Sequence, residues 1–415
     1  MPFLSATFLI LLLLVTFTRF WLGARQIRHV QTHREQVPDE FSEKISLRSH
    51  RRAADYTVAR VRLGRIEILL DALILLVMTL GGGLQWLWTQ TQNMISGTLL
   101  PELVFMVTVF LIISALHLPI SLYRQFRLEE RFGFNRMTLK LYISDLLKGL
   151  LLGALLGIPL SALILWLMEM AGTYWWLWAW VVWTGFNILM LLVFPTWIAP
   201  MFNKFTPLDD EELRSRVHAL AKRCQFSIQG LFVMDGSRRS AHGNAYFTGL
   251  GKSRRIVFFD TLLKKLTPEE IEAVLAHELG HFKHHHITRR MILSLLAALV
   301  FFGALGWLAQ SPWFYEALGV QPVDQAGAMA LVLFMLVMPI FTFWLTPVMN
   351  GLSRRDEYEA DRFAAQQSDA TQLISALVKL FNDNAATLTP DPVHSAFYDS
   401  HPPASLRIQQ LAKFA

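Results

Sequence analysis

The chain has 415 residues, of which 53% are hydrophobic and only 17% are charged, with a formal net charge of +6. A mean hydropathy of +0.37 argues against an ordinary soluble protein and for one that crosses a membrane repeatedly. The single cysteine, Cys224, excludes an intrachain disulfide and a cysteine zinc cluster.

Long apolar stretches recur along the chain, each near the ~20 residues that a helix needs to cross a bilayer. They cover residues 3–23, 66–88, 99–122, 147–170, 174–199, 290–310 and 327–350. The opening residues carry no Lys or Arg, which favours a retained first span over a cleaved signal peptide. The sequence therefore predicts a mainly α-helical, polytopic membrane protein with seven transmembrane helices.

Positive charge is distributed unevenly between the loops. Residues 25–65 hold ten Lys or Arg residues and residues 124–148 hold six, whereas 89–102 and 291–353 hold none. Because positively charged loops stay in the cytoplasm, we expect the N-terminus outside. The positive loops, the segment 200–289 and the C-terminal tail are then expected inside.

A β-hairpin followed by a helix is predicted between the fifth and sixth spans. Residues 241–250 and 254–260 are rich in β-formers and flank a Gly-Lys-Ser turn. Thr267 is a plausible N-cap, Pro268 suits the first helical position, and Glu270 can close a capping box. The helix that begins there runs through IEAVLAHELGHFKHHH.

The HELGH string carries the chemistry of this helix. His277 and His281 lie four residues apart, so both imidazoles project from one helix face and can bind one tetrahedral zinc ion. Glu278 is adjacent and can reach a water at the metal as general base. The pattern predicts a catalytic zinc site.

A catalytic zinc usually has three protein ligands and one open position. Asp356, Glu357, Glu359 and Asp361 follow the last span and return to the same side of the membrane as HELGH. Glu357 and Asp361 share a helix face, and spacing alone does not choose between them. One should bind zinc while the other orients a histidine through its free ring nitrogen.

Several blocks of the sequence match the motifs of a known family, in the same order along the chain. They are RFGFN at 131–135, FPTWIAPMFNKFTPL at 194–208, residues 236–263, HELGH, SRRDEYEAD at 353–361, and SHPP with a following arginine at 400–407. From about residue 60 to its end, the chain resembles the integral-membrane CaaX prenyl proteases, which are zinc metallopeptidases that also process a-factor-type lipopeptides. The resemblance implies seven helices enclosing a water-filled chamber.

The resemblance also implies roles for individual residues. Glu357 matches the family's third zinc ligand, and Asp361 the acidic residue that follows it. The residues matching the family's substrate-binding strand are His242, Asn244, Ala245, Tyr246 and Phe247, with glycine at 243 where many members have serine. An edge strand can pair with an extended peptide, and Asn244 could hold a substrate carbonyl.

Two C-terminal residues map onto the same pattern. His401 is expected to stabilise the oxyanion of the tetrahedral intermediate. Arg407 could bind a substrate carboxylate or carbonyl, with a structural salt bridge as the alternative. The run His284–His286 is interpreted as residues at the membrane surface, solvated or paired with acidic groups, rather than as a second zinc site.

The expected function is that of a membrane-embedded zinc metalloendopeptidase with one Zn²⁺ per chain, which processes CaaX-type proteins. A membrane-protein quality-control protease with the same chemistry is the alternative, and a scaffold or transporter a distant one. Partners are a peptide or protein substrate, prenylated or membrane-bound, and the lipid bilayer, but no nucleic acid. The catalytic part is expected in the cytoplasm, at the inner membrane of a bacterium or the endoplasmic reticulum of a eukaryote.

The expected division has four parts. Residues 1–199 hold spans one to five with their cytoplasmic loops, and 200–289 form an α+β metalloprotease domain around the HELGH helix. Residues 290–350 hold spans six and seven, and 351–415 supply the third ligand.

Overall fold

The computed structural model describes residues 2–248, 255–322 and 327–415. Helices make up most of these residues, and one small sheet lies between them. The helices are α1 (Pro2–Thr32), α2 (Leu47–Met78), α3 (Gly83–Met94), α4 (Leu99–Tyr123), α5 (Leu139–Met170), α6 (Trp175–Val193), α7 (Ala199–Phe202), α8 (Glu211–Arg223), α9 (Asp260–Leu263), α10 (Pro268–Lys283), α11 (His286–Leu308), α12 (Pro312–Ala317), α13 (Gly327–Thr342), α14 (Thr346–Gln367), α15 (Ala370–Asp383), α16 (Pro392–Tyr398) and α17 (Ala404–Leu411). The strands are β1 (Phe205–Pro207), β2 (Gly230–Met234), β3 (Ala245–Thr248) and β4 (Arg255–Phe259).

Six helices in the described part of the chain are long and apolar enough to cross a membrane. They are Phe3–Thr32, Leu99–Glu129, Leu139–Met170, Gly172–Phe202, His286–Leu308 and Gly327–Gln367. Large apolar side chains such as Leu155 and Val300 stay exposed on them, as expected of surfaces that face lipid. The predicted polytopic, mainly α-helical class is confirmed.

The predicted second span, 66–88, is the exception, so the predicted count of seven is one too high for the described residues. The chain there is divided: α2 ends at Met78 and α3 begins at Gly83. Gly82, the residue that immediately precedes α3, adopts a left-handed conformation with φ of 77°, which glycine tolerates. Within α2 itself, Glu67 and Asp71 interrupt the apolar run.

α13 lies in the core of the membrane helices. Its residues 327–333 are all buried. The backbone N–H of Ala328 donates to the Glu102 carboxylate over 2.7 Å, which ties the start of α13 to α4. Nearby, Trp88 and Phe105 pack edge to face with ring centroids 5.3 Å apart. The first of these contacts holds the start of α13, and the second joins α3 to α4.

The sheet has the strand order β1-β2-β4-β3. β2 and β4 are parallel, whereas β3 pairs with β4 in antiparallel register, with Tyr246 opposite Val257. The predicted hairpin partners therefore pair, and the predicted turn at 251–253 lies outside the described residues. Because β3 is at the edge of the sheet, one side of its backbone has no strand beside it among the described residues.

α10 begins with the predicted capping box. The Glu270 backbone N–H donates to Thr267 Oγ1 over 3.3 Å, and the Thr267 N–H donates to the Glu270 carboxylate over 2.8 Å. Leu275 and Leu279 on the buried face of α10 share a core with Ile256 and Phe258 of β4. The opposite side of α10 crosses α14 at Gly280, where an added Cβ would lie 2.9 Å from Ala360 Cα.

The loop after α4 is attached to the segment that leads into β3. Asn135 forms an isolated β-bridge with Ser240, and the Ala241 N–H donates to the Phe134 carbonyl over 3.1 Å. Arg239 binds both carboxylate oxygens of Asp145 at 2.8 and 3.0 Å. The RFGFN motif therefore connects the membrane helices to the edge strand.

Candidate metal and peptidase site

Three buried side chains converge where α10 crosses α14. Atoms of His277, His281 and Glu357 that could bind a metal all lie within 4.8 Å of one another. His277 Nε2 lies 3.4 Å from Glu357 Oε2, and His281 Nε2 lies 3.4 Å from Glu357 Oε1. In a tetrahedral site with metal–ligand bonds of about 2.1 Å, ligand atoms are roughly 3.4 Å apart.

The chemistry of these residues fits a metal. Glu357 is 2% exposed, and its Oε2 atom accepts no hydrogen bond from any described residue. A buried carboxylate oxygen without a partner is costly unless a cation neutralises it. Two imidazoles and one glutamate are a donor set typical of catalytic zinc, and they leave a fourth position for a reactant.

A buried ion pair between Asp361 and Arg407 holds the Nδ1 side of the His277 ring. Its Nδ1 lies 2.8 Å from Asp361 Oδ1, and Arg407 donates to both Asp361 oxygens, from Nε at 2.8 Å and from Nη2 at 2.6 Å. Burial lowers the pKa of His277, but the neighbouring carboxylates of Asp361 and Glu357 outweigh it and raise the pKa to about 9. Asp361 thereby provides the acceptor at Nδ1 that an imidazole binding a metal through Nε2 needs.

Two predicted catalytic residues border the same cluster. Glu278 is half-buried on α10, next to His277 in the chain. His401 Nε2 lies 3.5 Å from Glu357 Oε1, while its side chain remains 62% exposed. An exposed imidazole beside the cluster can reach a molecule bound there. Together these groups suit hydrolysis by an activated water.

Comparison with known proteins identifies the family. A family model described as "CAAX prenyl protease N-terminal, five membrane helices" matches residues 26–204, and one for "Peptidase family M48" matches residues 207–415. The chain belongs to peptidase family M48. This M48 peptidase is a membrane-embedded metalloendopeptidase that acts on a peptide or protein substrate.

Similar proteins span nearly the whole chain. The "CAAX prenyl protease 1 homolog" of Oryza sativa subsp. japonica is 33% identical over 99% of this chain and 97% of the rice protein. The "CAAX prenyl protease 1" of Saccharomyces cerevisiae is 38% identical over 71% of this chain and 68% of the yeast protein. The crystal structure of S. mikatae Ste24p superimposes with a TM-score of 0.90 at 30% identity, covering 97% of this chain and 99% of that chain.

The predicted substrate residues of this M48 peptidase divide into two groups. The ring of His242 stacks on Phe134 with centroids 4.3 Å apart, and its Nδ1 lies 3.1 Å from Asn384 Oδ1. The first contact joins His242 to the RFGFN loop, and the second joins it to the residue that follows α15. Asn244 is exposed, and Ala245 and Tyr246 are half-buried on the edge strand. Burial raises the pKa of Tyr246, which therefore stays neutral at pH 7.

Arg407 is also more enclosed than its predicted substrate role suggests. The residue is 6% exposed, and its guanidinium is engaged with Asp361. Nη1 lies 3.9 Å from Glu357 Oε2. This environment favours the alternative of a structural ion pair that supports the cluster.

The sequence indicates no role at the site for His286, which it groups with His284 and His285. His284 and His285 are exposed, whereas His286 is fully buried and paired with an acidic residue, the second of the two expected environments. Its Nδ1 lies 3.0 Å from His281 Nδ1, and its Nε2 lies 3.1 Å from Glu359 Oε2. A regular helix would turn residue 286 away from residue 281, so spacing held no signal for this contact.

Proposed function

We propose that this chain is a zinc metalloendopeptidase that processes CaaX-type proteins or peptides at the cytoplasmic face of a membrane. The observation that carries the proposal is the buried convergence of His277, His281 and Glu357, in which Glu357 Oε2 accepts no hydrogen bond from a described residue. His277, His281 and Glu357 would hold one Zn²⁺ ion. The substrate class is proposed because relatives that span nearly the whole chain bear the name CAAX prenyl protease.

The protein's own groups then perform the proton transfers. When bound, zinc supplies a Lewis acid that polarises the scissile carbonyl and lowers the pKa of a water. Glu278 accepts a proton from the attacking water and returns one to the leaving amine. His401 donates a hydrogen bond to the oxyanion of the tetrahedral intermediate. Because the nucleophile in this mechanism is a water, the reaction needs no covalent acyl-enzyme.

Substrate binding uses the free edge of the sheet. An extended peptide would add to β3 through main-chain hydrogen bonds alongside Ala245 and Tyr246, while the exposed amide of Asn244 holds a substrate carbonyl. His242 would act by attaching the start of this strand to Phe134. Arg407 and Asp361 would keep His277 in its orientation rather than bind substrate.

The orientation in the membrane follows from charge. Ten Lys or Arg residues at 25–65 and six at 124–148 are retained on the cytoplasmic side under the positive-inside rule. The loop at 124–148 contains the RFGFN motif that contacts the segment before β3. The peptidase site would therefore face the cytoplasm, where the C-terminus of a lipid-modified protein is accessible.

The test compares the wild type with Glu278→Ala and His277→Ala in detergent. Bound zinc is measured on each, together with cleavage of a farnesylated CaaX peptide and of the same peptide without lipid. We expect about one zinc on the wild type and on Glu278→Ala, less on His277→Ala, and cleavage by the wild type alone.

The two peptides decide the substrate class. Preference for the farnesylated peptide supports CaaX processing, whereas equal cleavage favours the broader membrane quality-control protease. A wild type without zinc, or a Glu278→Ala variant that cleaves as fast as the wild type, would overturn the mechanism.

A further inference from the structure

The zinc-site histidines differ in what holds their second nitrogen. His277 Nδ1 meets the carboxylate of Asp361 directly, at 2.8 Å. His281 Nδ1 instead meets another imidazole, His286 Nδ1 at 3.0 Å. The second nitrogen of His286 then lies 3.1 Å from Glu359 Oε2. His281 is therefore linked to a carboxylate through an intervening histidine.

Metal binding fixes the direction of this chain of hydrogen bonds. An imidazole that binds a metal through Nε2 carries its proton on Nδ1 and must donate there. With a metal at its Nε2, His281 would therefore donate from Nδ1 to His286 Nδ1, which would accept. His286 would then carry its own proton on Nε2 and donate to Glu359. Every polar atom of the buried His286 ring has one partner and one role.

The local charges direct His286 towards Glu359. Asp356 Oδ1 is 4.0 Å from His286 Nε2, but Asp356 is already paired with Arg289 and Arg290. The Glu359 side chain is 35% exposed, so the chain of hydrogen bonds ends near solvent. The other Glu359 oxygen, Oε1, accepts a hydrogen bond from Arg355 Nε over 3.3 Å.

The backbone explains how His286 reaches this position. α10 ends at Lys283, and His285 adopts φ of 57°, a left-handed conformation that breaks the helix. The chain then restarts as α11 with His286 as its first residue. Because α11 is a candidate membrane span, the first residue of that span contacts a residue of the metal cluster.

We propose that His286 is a positioning residue that orients His281 for metal binding and couples the start of the membrane helix α11 to the metal site. This inference rests on the proposed zinc site. Partners of this kind typically contribute 10–100-fold to metal affinity or activity, so loss of His286 should be visible in metal retention itself.

The experiment uses two substitutions that separate hydrogen bonding from packing. His286→Leu fills the buried space but offers no acceptor to His281. His286→Asn can place its Oδ1 where Nδ1 lies and so restores the acceptor. His285→Asn is the matched control, because His285 is exposed and asparagine tolerates its left-handed conformation.

The main readout is the rate of zinc release from the purified full chain into excess chelator, with kcat and KM as the second. We expect His286→Leu to speed release by about 10–100-fold and to lower kcat with little change in KM. His286→Asn should restore most of both, and His285→Asn should match the wild type. Size-exclusion profiles and Tm check that each variant folds.

Each other result counts against the proposal. If zinc leaves His286→Leu and His286→Asn at the same rate, His286 acts only through packing. If zinc leaves His286→Leu at the wild-type rate, His286 has no role in holding the metal. If His286→Leu does not fold, Glu359→Ala is tested in its place. An unchanged rate of zinc release from Glu359→Ala would then refute the chain of hydrogen bonds from His281 through His286 to Glu359. A wild type without zinc would instead refute the proposed function on which this inference depends.

Discussion

Gly280 is the point of closest approach between α10 and α14. A Cβ atom at this position would lie 2.9 Å from Ala360 Cα and 3.2 Å from both the Ala360 carbonyl oxygen and Phe363 Cβ. Ordinary carbon–carbon contacts begin near ~3.5 Å. Gly280→Ala would therefore require the two helices to separate by about 0.6 Å at their crossing.

That separation acts on the zinc ligands because they lie on opposite sides of the crossing. His277 and His281 flank Gly280 on α10, whereas Glu357 is three residues before Ala360 on α14. Metal–ligand bonds tolerate only ~0.2 Å. A misplacement near 1 Å can cost about 100-fold in rate. We expect Gly280→Ala to weaken zinc binding and to lower kcat/KM by roughly 10–100-fold.

Helix propensity alone predicts that Gly280→Ala would stabilise the protein. Alanine is favoured over glycine inside a helix by about 1 kcal/mol, so stabilisation would follow if packing did not matter. Gly351→Ala on α14 is the matched control, since its Cβ would meet only Arg354 Nη2, at 3.8 Å. Zinc content and peptide cleavage of both variants decide the question. A Gly280→Ala protein that keeps its zinc and full activity would refute this account of the helix crossing.

Two further predictions concern buried ion pairs. Arg407→Met leaves Asp361 buried without its main cation, which should destabilise the fold by about 3–5 kcal/mol and lower Tm, with partial recovery on adding Asp361→Asn. Glu270 has a lowered pKa because hydrogen bonds from Lys379 and the backbone outweigh its burial. Glu270→Gln should therefore lower Tm at pH 7, and the difference from wild type should fade as the pH falls from about 4.3, the ordinary glutamate pKa, through the lower pKa of the folded state. A constant difference across that range, or an Arg407→Met protein with unchanged Tm, would contradict these assignments.

Features set by local sequence were predictable. The capping box at Thr267 and Glu270 depends on a few neighbouring residues, and both of its hydrogen bonds are present. The pairing of β3 with β4 follows from two short β-rich runs separated by a turn sequence. Most membrane helices were recognisable because lipid demands about 20 apolar residues in succession.

Features that depend on a break in regular structure were not predictable in the same way. Residues 66–88 are apolar enough to suggest a span, yet the helix ends at Met78 ahead of the left-handed Gly82. His286 returns to His281 only because His285 adopts a left-handed conformation. In both places a residue with positive φ immediately precedes the next helix, and neither hydropathy nor helical periodicity records the break.

The third metal ligand shows what tertiary contact adds to spacing. Glu357 and Asp361 share a face of α14, so periodicity treats them alike, and the role of each remains a proposal. Their oxygens nevertheless meet different nitrogens. Both Glu357 oxygens face Nε2 atoms, one from His277 and one from His281, whereas Asp361 faces only the Nδ1 of His277 and binds Arg407. An imidazole that binds metal through Nε2 needs an acceptor at Nδ1, so the first position suits a ligand and the second suits its support.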